Sequence, residues 1–590
     1  MPQRIGQSGL TLQRYLDDLG SLPRRLLLTS LGVFGAAVAV STSAAADPSW
    51  IPMNQGIAWT SETRTDFYTR DQGSRLIPLR WIAALKQSNG TPFMADSLAR
   101  YGYLPNELSS PPGLPVGFTV SNTTAGETLG MTCAACHTRQ ISVQGKSYRI
   151  DGGPAIVDFQ SFLTDLDLAV GALLSNQVTF DNFSRALLGL SPTAEQTTSL
   201  RQEIRDWYLP FHTIMDRALP QQEWGPGRLD AVSMIFNRLS GLDIGPPPTY
   251  IIEGNIQRAD APVRYPFIWN AYRQDHTQWP GFADNGNDLL GLGRNVGEVT
   301  GVFASYHPKK DASRLTGINF IGENSTNFDG LTALENLIKK IGPPKWIWPL
   351  NAALVAQGSA LFAQKCSTGC HEVKTGSVPS LNPFYKTWAT PIKNVGTDTR
   401  EWSILDRKVD PGVLTGAYIL GLNDPLKNPE PAVNVLGLSA IGSIIQHTLP
   451  VTLPDDFGEQ ITRTGTVFTP ATESLKGAFR YGQKAAAPGS YESRVLRGIW
   501  AAAPYLHNGS VPTLAELLKA PAERVAVFKI GPAYDLDTVG LAVNQTVFPQ
   551  VLQTTDCAQL DSGNSRCGHD FGTKLLPDQK KALLEYLKTL

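Results

Sequence analysis

The chain has 590 residues, 42% of them hydrophobic, with 51 Lys and Arg against 52 Asp and Glu and a net charge of −1. That length gives room for two or three domains, each with its own core. Near-neutral charge without basic blocks argues against nucleic acid as a partner, and 54 Gly with 42 Pro foretell a chain rich in loops.

At the N-terminus, Arg24 and Arg25 precede an apolar run over residues 26–40, and Ala44-Ala45-Ala46 stand before Asp47. This is the pattern of an export signal with a small-residue cleavage site, so residues 1–46 are expected to be removed and the mature protein to be periplasmic or secreted. The run is short for a membrane span, and no span is expected after cleavage; an uncleaved anchor is the alternative. Removal takes away four Arg and two Asp and leaves a net charge of −3.

Residues 47–130 read as loops with short helical patterns such as 77–85, punctuated by Asn89-Gly90 and Pro111-Pro112-Gly113. Then comes Cys133-Ala134-Ala135-Cys136-His137. Two thiols three positions apart can each add across a haem vinyl group, with the following histidine beneath the iron, so C-x-x-C-H is the attachment signal for a c-type haem. The competing readings are a thioredoxin-like dithiol, which expects a βαβ context absent here, and half of a zinc site. A tight turn at 150–155 leads to a helix around 156–173, and residues 195–240 have a helical pattern that ends at Gly245-Pro246-Pro247-Pro248. Segment 265–303 is dense in aromatics and Gly. Its Trp269, Trp279 and Phe303 are candidates to line a pocket or bridge two haems, with core packing as the plainer role. The segment closes in a helix carrying Arg294 and Glu298. Four positions apart, they are a candidate catalytic pair able to polarise or protonate a bound oxygen species; the plainer reading is a helix-surface ion pair.

Gly342-Pro343-Pro344 divides a first domain, 47–345, from a second, 346–590. Leu354, Gly358, Leu361 and Phe362 share one helical face and run into Cys366-Ser367-Thr368-Gly369-Cys370-His371, a second Cys/Cys/His set with one extra residue between the thiols. A bulge at Gly369 can keep both sulfurs on one haem edge; a mono-haem protein results if the site fails. Pro577 starts a last helix with the apolar stripe Leu583, Leu584, Leu587 and Leu590. A helix leading into the motif and a closing helix across it look like a class I cytochrome c domain, in which Gly358 lets the helices approach and Phe362 meets Tyr586. The expected fold is mainly α and loop-rich: two cytochrome c-type haem domains with a large, aromatic-rich insertion in the first.

His137 and His371 are the expected proximal iron ligands. The last methionine is Met234, so the second domain has none for a sixth ligand. Among His447, His507 and His569, the likeness to class I cytochrome c, in which the loop just before the closing helix delivers the sixth ligand, favours His569, with His507 second. Two histidines would give a low-spin, low-potential iron suited to electron transfer. Cys557 and Cys567 bracket a polar loop and are expected to form a disulfide, in keeping with an oxidising compartment. After His137 no histidine follows until His212, and His212, His276 and His307 are only remote candidates for the first iron. An open or water-bound iron, able to bind O₂ or peroxide, is expected there.

Several stretches carry a resemblance: Gln72-Gly73-Ser74-Arg75-Leu76-Ile77-Pro78, Leu114-Pro115-Val116-Gly117-Phe118, Arg149-Ile150-Asp151-Gly152-Gly153-Pro154 and Arg294-Asn295-Val296-Gly297-Glu298-Val299. To these are added residues 496–514, which include Ala503-Pro504-Tyr505-Leu506-His507-Asn508-Gly509-Ser510, and residues 568–573. Together they resemble the bacterial di-haem cytochrome c peroxidase superfamily, and within it the branch containing the rubber oxygenases. The resemblance implies two haem c groups, one for O₂ or H₂O₂ chemistry and one relaying electrons with a small redox protein. It also implies a non-ligating histidine at the place of His507, a sixth ligand at the place of His569, and a calcium ion between the domains. The typical peroxidase has a distal histidine soon after its first motif; this chain lacks one, which points to the oxygenase-like branch. The C-x-x-x-C-H spacing departs from both groups. The expected function is an exported di-haem oxidoreductase whose organic substrate branch membership does not fix. The alternative is a pure electron-transfer cytochrome with both irons six-coordinate.

Overall fold

Two β-hairpins frame the first Cys/Cys/His motif. The computed structural model describes residues 49–314, 317–376, 386–418, 425–448 and 487–590; the export signal expected over 1–46 lies outside the described residues. Strands β1 (Ile51–Pro52) and β2 (Ile77–Pro78) are short, β3 (Phe118–Thr123) and β4 (Gly126–Met131) make the first hairpin, and β5 (Thr138–Val143) and β6 (Lys146–Asp151) the second. β1 joins β6 in parallel and β2 joins β4 antiparallel. The second hairpin turns at Gln144-Gly145, whose φ values of 49° and 78° are the left-handed pair that a two-residue hairpin needs. The motif is the tight turn between the hairpins, with a 3-10 helix at Cys133–Ala135. Gly117 packs against it so closely that a Cβ there would strike the Ala135 backbone.

Asp151, at the end of β6, is wholly buried. It accepts from Tyr68 Oη at 2.6 Å, Arg64 Nε at 2.6 Å and Trp59 Nε1 at 2.7 Å. Those three donors lie on or beside helix Ser61–Thr69, so one carboxylate ties that helix to the strand that returns to the motif. Helix Phe159–Ser175 follows, its N-terminus capped by the Asp158 side chain. It shares an apolar cluster with helices Gln177–Leu188 and Ala194–Ala218. Helices Ala231–Arg238, Asp288–Gly301 and Phe328–Ile338 then gather beside the motif.

One apolar cluster draws on both halves of the chain, including Trp59, Ile150, Trp269, Leu334, Phe362, Trp500 and Leu583. Its far end is built by helix Ala352–Phe362, which leads into the second motif, and closing helix Pro577–Leu587. They cross at Gly358, where a Cβ would collide with the Ala582 carbonyl. The expected contact between Phe362 and Tyr586 is present, ring centroids 5.3 Å apart. Gly358→Val must therefore push the closing helix away, a strain of about 1–3 kcal/mol. Thermal unfolding should show that loss, whereas Gly254→Ala, at a glycine with open space around it, should leave the midpoint within a degree or two.

Candidate haem sites

Cys133, Cys136 and His137 open on a cavity of about 1400 Å³. His137 Nδ1 donates to the Pro266 carbonyl at 2.9 Å, which fixes the tautomer and leaves Nε2 for a metal. Burial lowers the His137 pKa to about 4, so the ring is neutral, as a ligand must be. The thiols are not poised for dithiol chemistry. Burial pushes Cys136 up to about 12 and Cys366 to about 11, whereas redox-active pairs need a lowered thiol pKa. Among the described residues no group of three or more His, Cys, Asp or Glu side chains is placed to hold a metal ion, so no further ligands gather around the motif to complete a zinc site.

Arg294 and Glu298 both line this cavity. Arg294 forms an ion pair with Glu335 and donates to Asn285 Oδ1 at 2.7 Å, while its Nε lies 3.8 Å from Glu298. Glu335, on the neighbouring helix, also accepts from Asn295 Nδ2 at 2.8 Å. The guanidinium is thus clamped by Glu335, and Glu298 is only its looser partner. Glu298 accepts from Gln278 Nε2 at 3.1 Å. Its side chain is 42% exposed and lines the cavity. Burial raises its pKa, with Arg294 opposing and Glu335 adding to the rise. The pair is a wall of the cavity as well as an ion pair.

None of His212, His276 and His307 reaches the cavity. His212 is 2.9 Å from Asp167, His276 3.2 Å from Asp284, and His307 stacks on Tyr250. Three wall residues escape sequence reasoning. Met234 is a buried thioether on helix Ala231–Arg238 with no motif around it. Gln278 belongs to the aromatic-rich segment but is not aromatic. Glu401 is buried with neither carboxylate oxygen partnered, and burial beside Asp230, Glu492 and Asp398 raises its pKa well above the usual range.

Cys366, Cys370 and His371 open on a second cavity of about 1270 Å³. The extra residue is absorbed where helical geometry breaks, at Thr368 and at Gly369 with φ 77°, a left-handed conformation natural to glycine. His371 Nδ1 donates to the Arg494 carbonyl at 2.6 Å. The ring of His569 faces it, centroids 6.4 Å apart. Two metal–nitrogen bonds of about 2 Å each, plus the half-widths of two imidazoles, sum to about 6 Å, so the spacing would let both rings hold one metal ion between them. His569 Nδ1 is buried without a partner. Its φ is 54°, and burial, then His371 and Arg524, lower its pKa to about 3. Arg524 pins the loop by donating to the Gly568 carbonyl at 2.8 Å and the His569 carbonyl at 3.2 Å. Cys557 and Cys567 are bonded two residues upstream, Cα atoms 5.3 Å apart. His507 lines the same cavity but stacks flat on Tyr491 at 3.7 Å. His447 stacks on Phe328, away from both cavities. A cavity, two free thiols beside it and a facing imidazole pair are a donor set that would fit an iron porphyrin.

Arg264, Trp279, Glu492 and Arg494 line both cavities. Of the three aromatics singled out in sequence, only Trp279 takes a bridging position. Trp269 is wholly buried with Nε1 donating to Arg497 O at 2.8 Å, and Phe303 stacks on Phe211.

Residues 490–529 match a family model described as RoxA-like, cytochrome c-like. The matched stretch contains Glu492, Arg494 and His507, residues of the second cavity's wall. It implies haem c as cofactor and marks the chain as similar to c-type cytochromes. Two proteins of Sinorhizobium fredii (strain NBRC 101917 / NGR234) are related along the chain. The uncharacterized protein y4iJ is 29% identical over 92% of this chain and 93% of its own length, and the uncharacterized protein y4iM is 23% identical over 65% and 75%. Among the described residues no helix is long and apolar enough to cross a membrane.

The facing imidazoles generate a spectroscopic expectation. His569→Ala should convert a low-spin ferric signal to high-spin in the electron paramagnetic resonance spectrum, and His507→Ala should leave that signal low-spin.

Proposed function

We propose that this protein is an exported di-haem c-type oxidoreductase in which the first site handles O₂ or peroxide and the second relays electrons. The observation that carries the reading is the asymmetry of the two cavities. The second has an imidazole on each side, whereas the first has His137 and no other histidine in its wall. When bound, haem c supplies an iron that exchanges electrons or binds an oxygen species. The protein's own groups then orient and protonate. Arg294, fixed by Glu335, presents a positive charge to the cavity, and Glu298 holds a proton at its carboxyl to higher pH than an ordinary glutamate. Apolar neighbours such as Val232, Ile235 and Val302 keep the space around them dry.

A specific observation favours the electron-carrier reading as the second choice. The Met234 thioether stands in the first cavity's wall, where it would make a His/Met pair if it reached the iron. Low-temperature electron paramagnetic resonance of the oxidised protein, with haem counted by intact mass, separates the two. One high-spin and one low-spin signal support the enzyme. Two low-spin signals, insensitive to cyanide, with one becoming high-spin in Met234→Ala, replace it with the carrier.

Glu298 gives the enzyme reading a pH signature. A carboxyl whose pKa is raised by burial remains a proton donor below that pKa and loses its proton above it, so turnover of peroxide or O₂ should fall as pH rises through it. Glu298→Gln, which keeps the hydrogen bonding but not the acid, should lower the rate about 10²–10⁴-fold and flatten that limb of the pH–rate profile.

A further inference from the structure

The two proximal histidines are connected by a short chain of polar contacts that passes through one side chain. His137 Nδ1 donates to the carbonyl of Pro266 at 2.9 Å. The next carbonyl, of Phe267, accepts from Arg494 Nη1 at 2.6 Å. The carbonyl of Arg494 itself accepts from His371 Nδ1 at 2.6 Å. Arg494 is locked in this place from every side: its Nε donates to Glu492 at 2.6 Å in a pair whose side chains are 8% and 1% exposed, and its guanidinium lies over the rings of Phe267 and Trp279. It also lines both cavities.

From this geometry we propose that Arg494 is a positioning residue for both proximal ligands, its side chain setting the acceptor of His137 and its backbone that of His371. The inference rests on the reading that both motifs carry haem. Orientation and basicity of a metal-bound imidazole follow the hydrogen bond at its other nitrogen. A side chain that holds the acceptor backbone therefore acts on the iron without touching it. Releasing the guanidinium frees the Pro266–Phe267 strap on one side. On the other it leaves the main chain at 494 with only its backbone ties, such as Ser493 N to the Pro391 carbonyl at 2.8 Å, so both acceptors lose a constraint together. A lysine keeps the positive charge but lacks the rigid fork that reaches the Phe267 carbonyl and Glu492 at once.

The test uses the full-length protein with haem content verified by mass. In Arg494→Lys, the iron–histidine stretching band of the reduced first site in resonance Raman spectra and the g-values of the oxidised second site should both shift from wild type. Arg494→Gln should move both reduction midpoints as well. Lys365→Gln removes a charge at the second cavity alone and should leave the first site's band in place. The proposal is overturned if Arg494→Lys leaves either site at its wild-type signature, because a pure charge effect would then account for any shift in Arg494→Gln. Attachment of only one haem to the wild-type chain would remove both this proposal and the di-haem reading. Two attached haems with a change at one site alone would remove only this proposal.

Discussion

Main-chain carbonyls, not side-chain carboxylates, hold the imidazoles of His137 and His371, and the architecture follows from how those carbonyls are themselves held. A carbonyl is a useful acceptor only if its strand of backbone cannot drift. The Pro266 carbonyl belongs to a strap that runs between the cavities and is fastened to the far half of the chain. Arg264 N donates to His507 O at 2.9 Å and Trp269 Nε1 to Arg497 O at 2.8 Å. The wall so formed contains charges far from water. Breaking one partner of such a buried pair typically costs ~3–5 kcal/mol, which makes the wall rigid where it holds the two imidazoles.

A second buried charge organises the other side of the first motif. Asp151 has no exposure and three side-chain donors, and Gln55 closes on its backbone, donating to its carbonyl at 2.7 Å and accepting from its amide at 2.8 Å. Charge-assisted bonds of this kind are the strong ones in a low-dielectric interior. The turn that bears the thiols is thus gripped from the 117 loop in front and from the Asp151 cluster behind.

Much of the chemistry was legible because it is local. Two thiols and a histidine within five residues, a glycine on a helix face, and a histidine just ahead of a terminal helix are all statements about neighbours in sequence. The bulge at Gly369 was legible for the same reason. What escaped is what the tertiary fold assembles. Reading 47–130 as loops and short helices misses the first hairpin, because strands of six residues or fewer carry little periodic signal against a background of turn residues. Met234 and Glu401 enter the first cavity's wall from segments that share no pattern with Cys133. Trp269 and Trp279 looked alike in one aromatic-rich stretch; only packing makes the first a core residue and the second a partition. Arg294 was found by its spacing to Glu298, yet its firm partner is Glu335, forty-one positions away.

The order of residues along the chain also sets an order of assembly at the second site. The acceptor for His371 lies 123 residues downstream, and His569 roughly 200, so each must be brought home by closing a long loop, at an entropic cost that grows only slowly with length but delays the search. The closing helix, Pro577–Leu587, follows both along the chain. During synthesis the thiols and His371 therefore precede the rest of their cavity wall by a long interval. A haem held by covalent sulfur bonds would be retained through that interval while His569 and the closing helix have yet to arrive, so residues 567–587 would decide when the second cavity becomes complete.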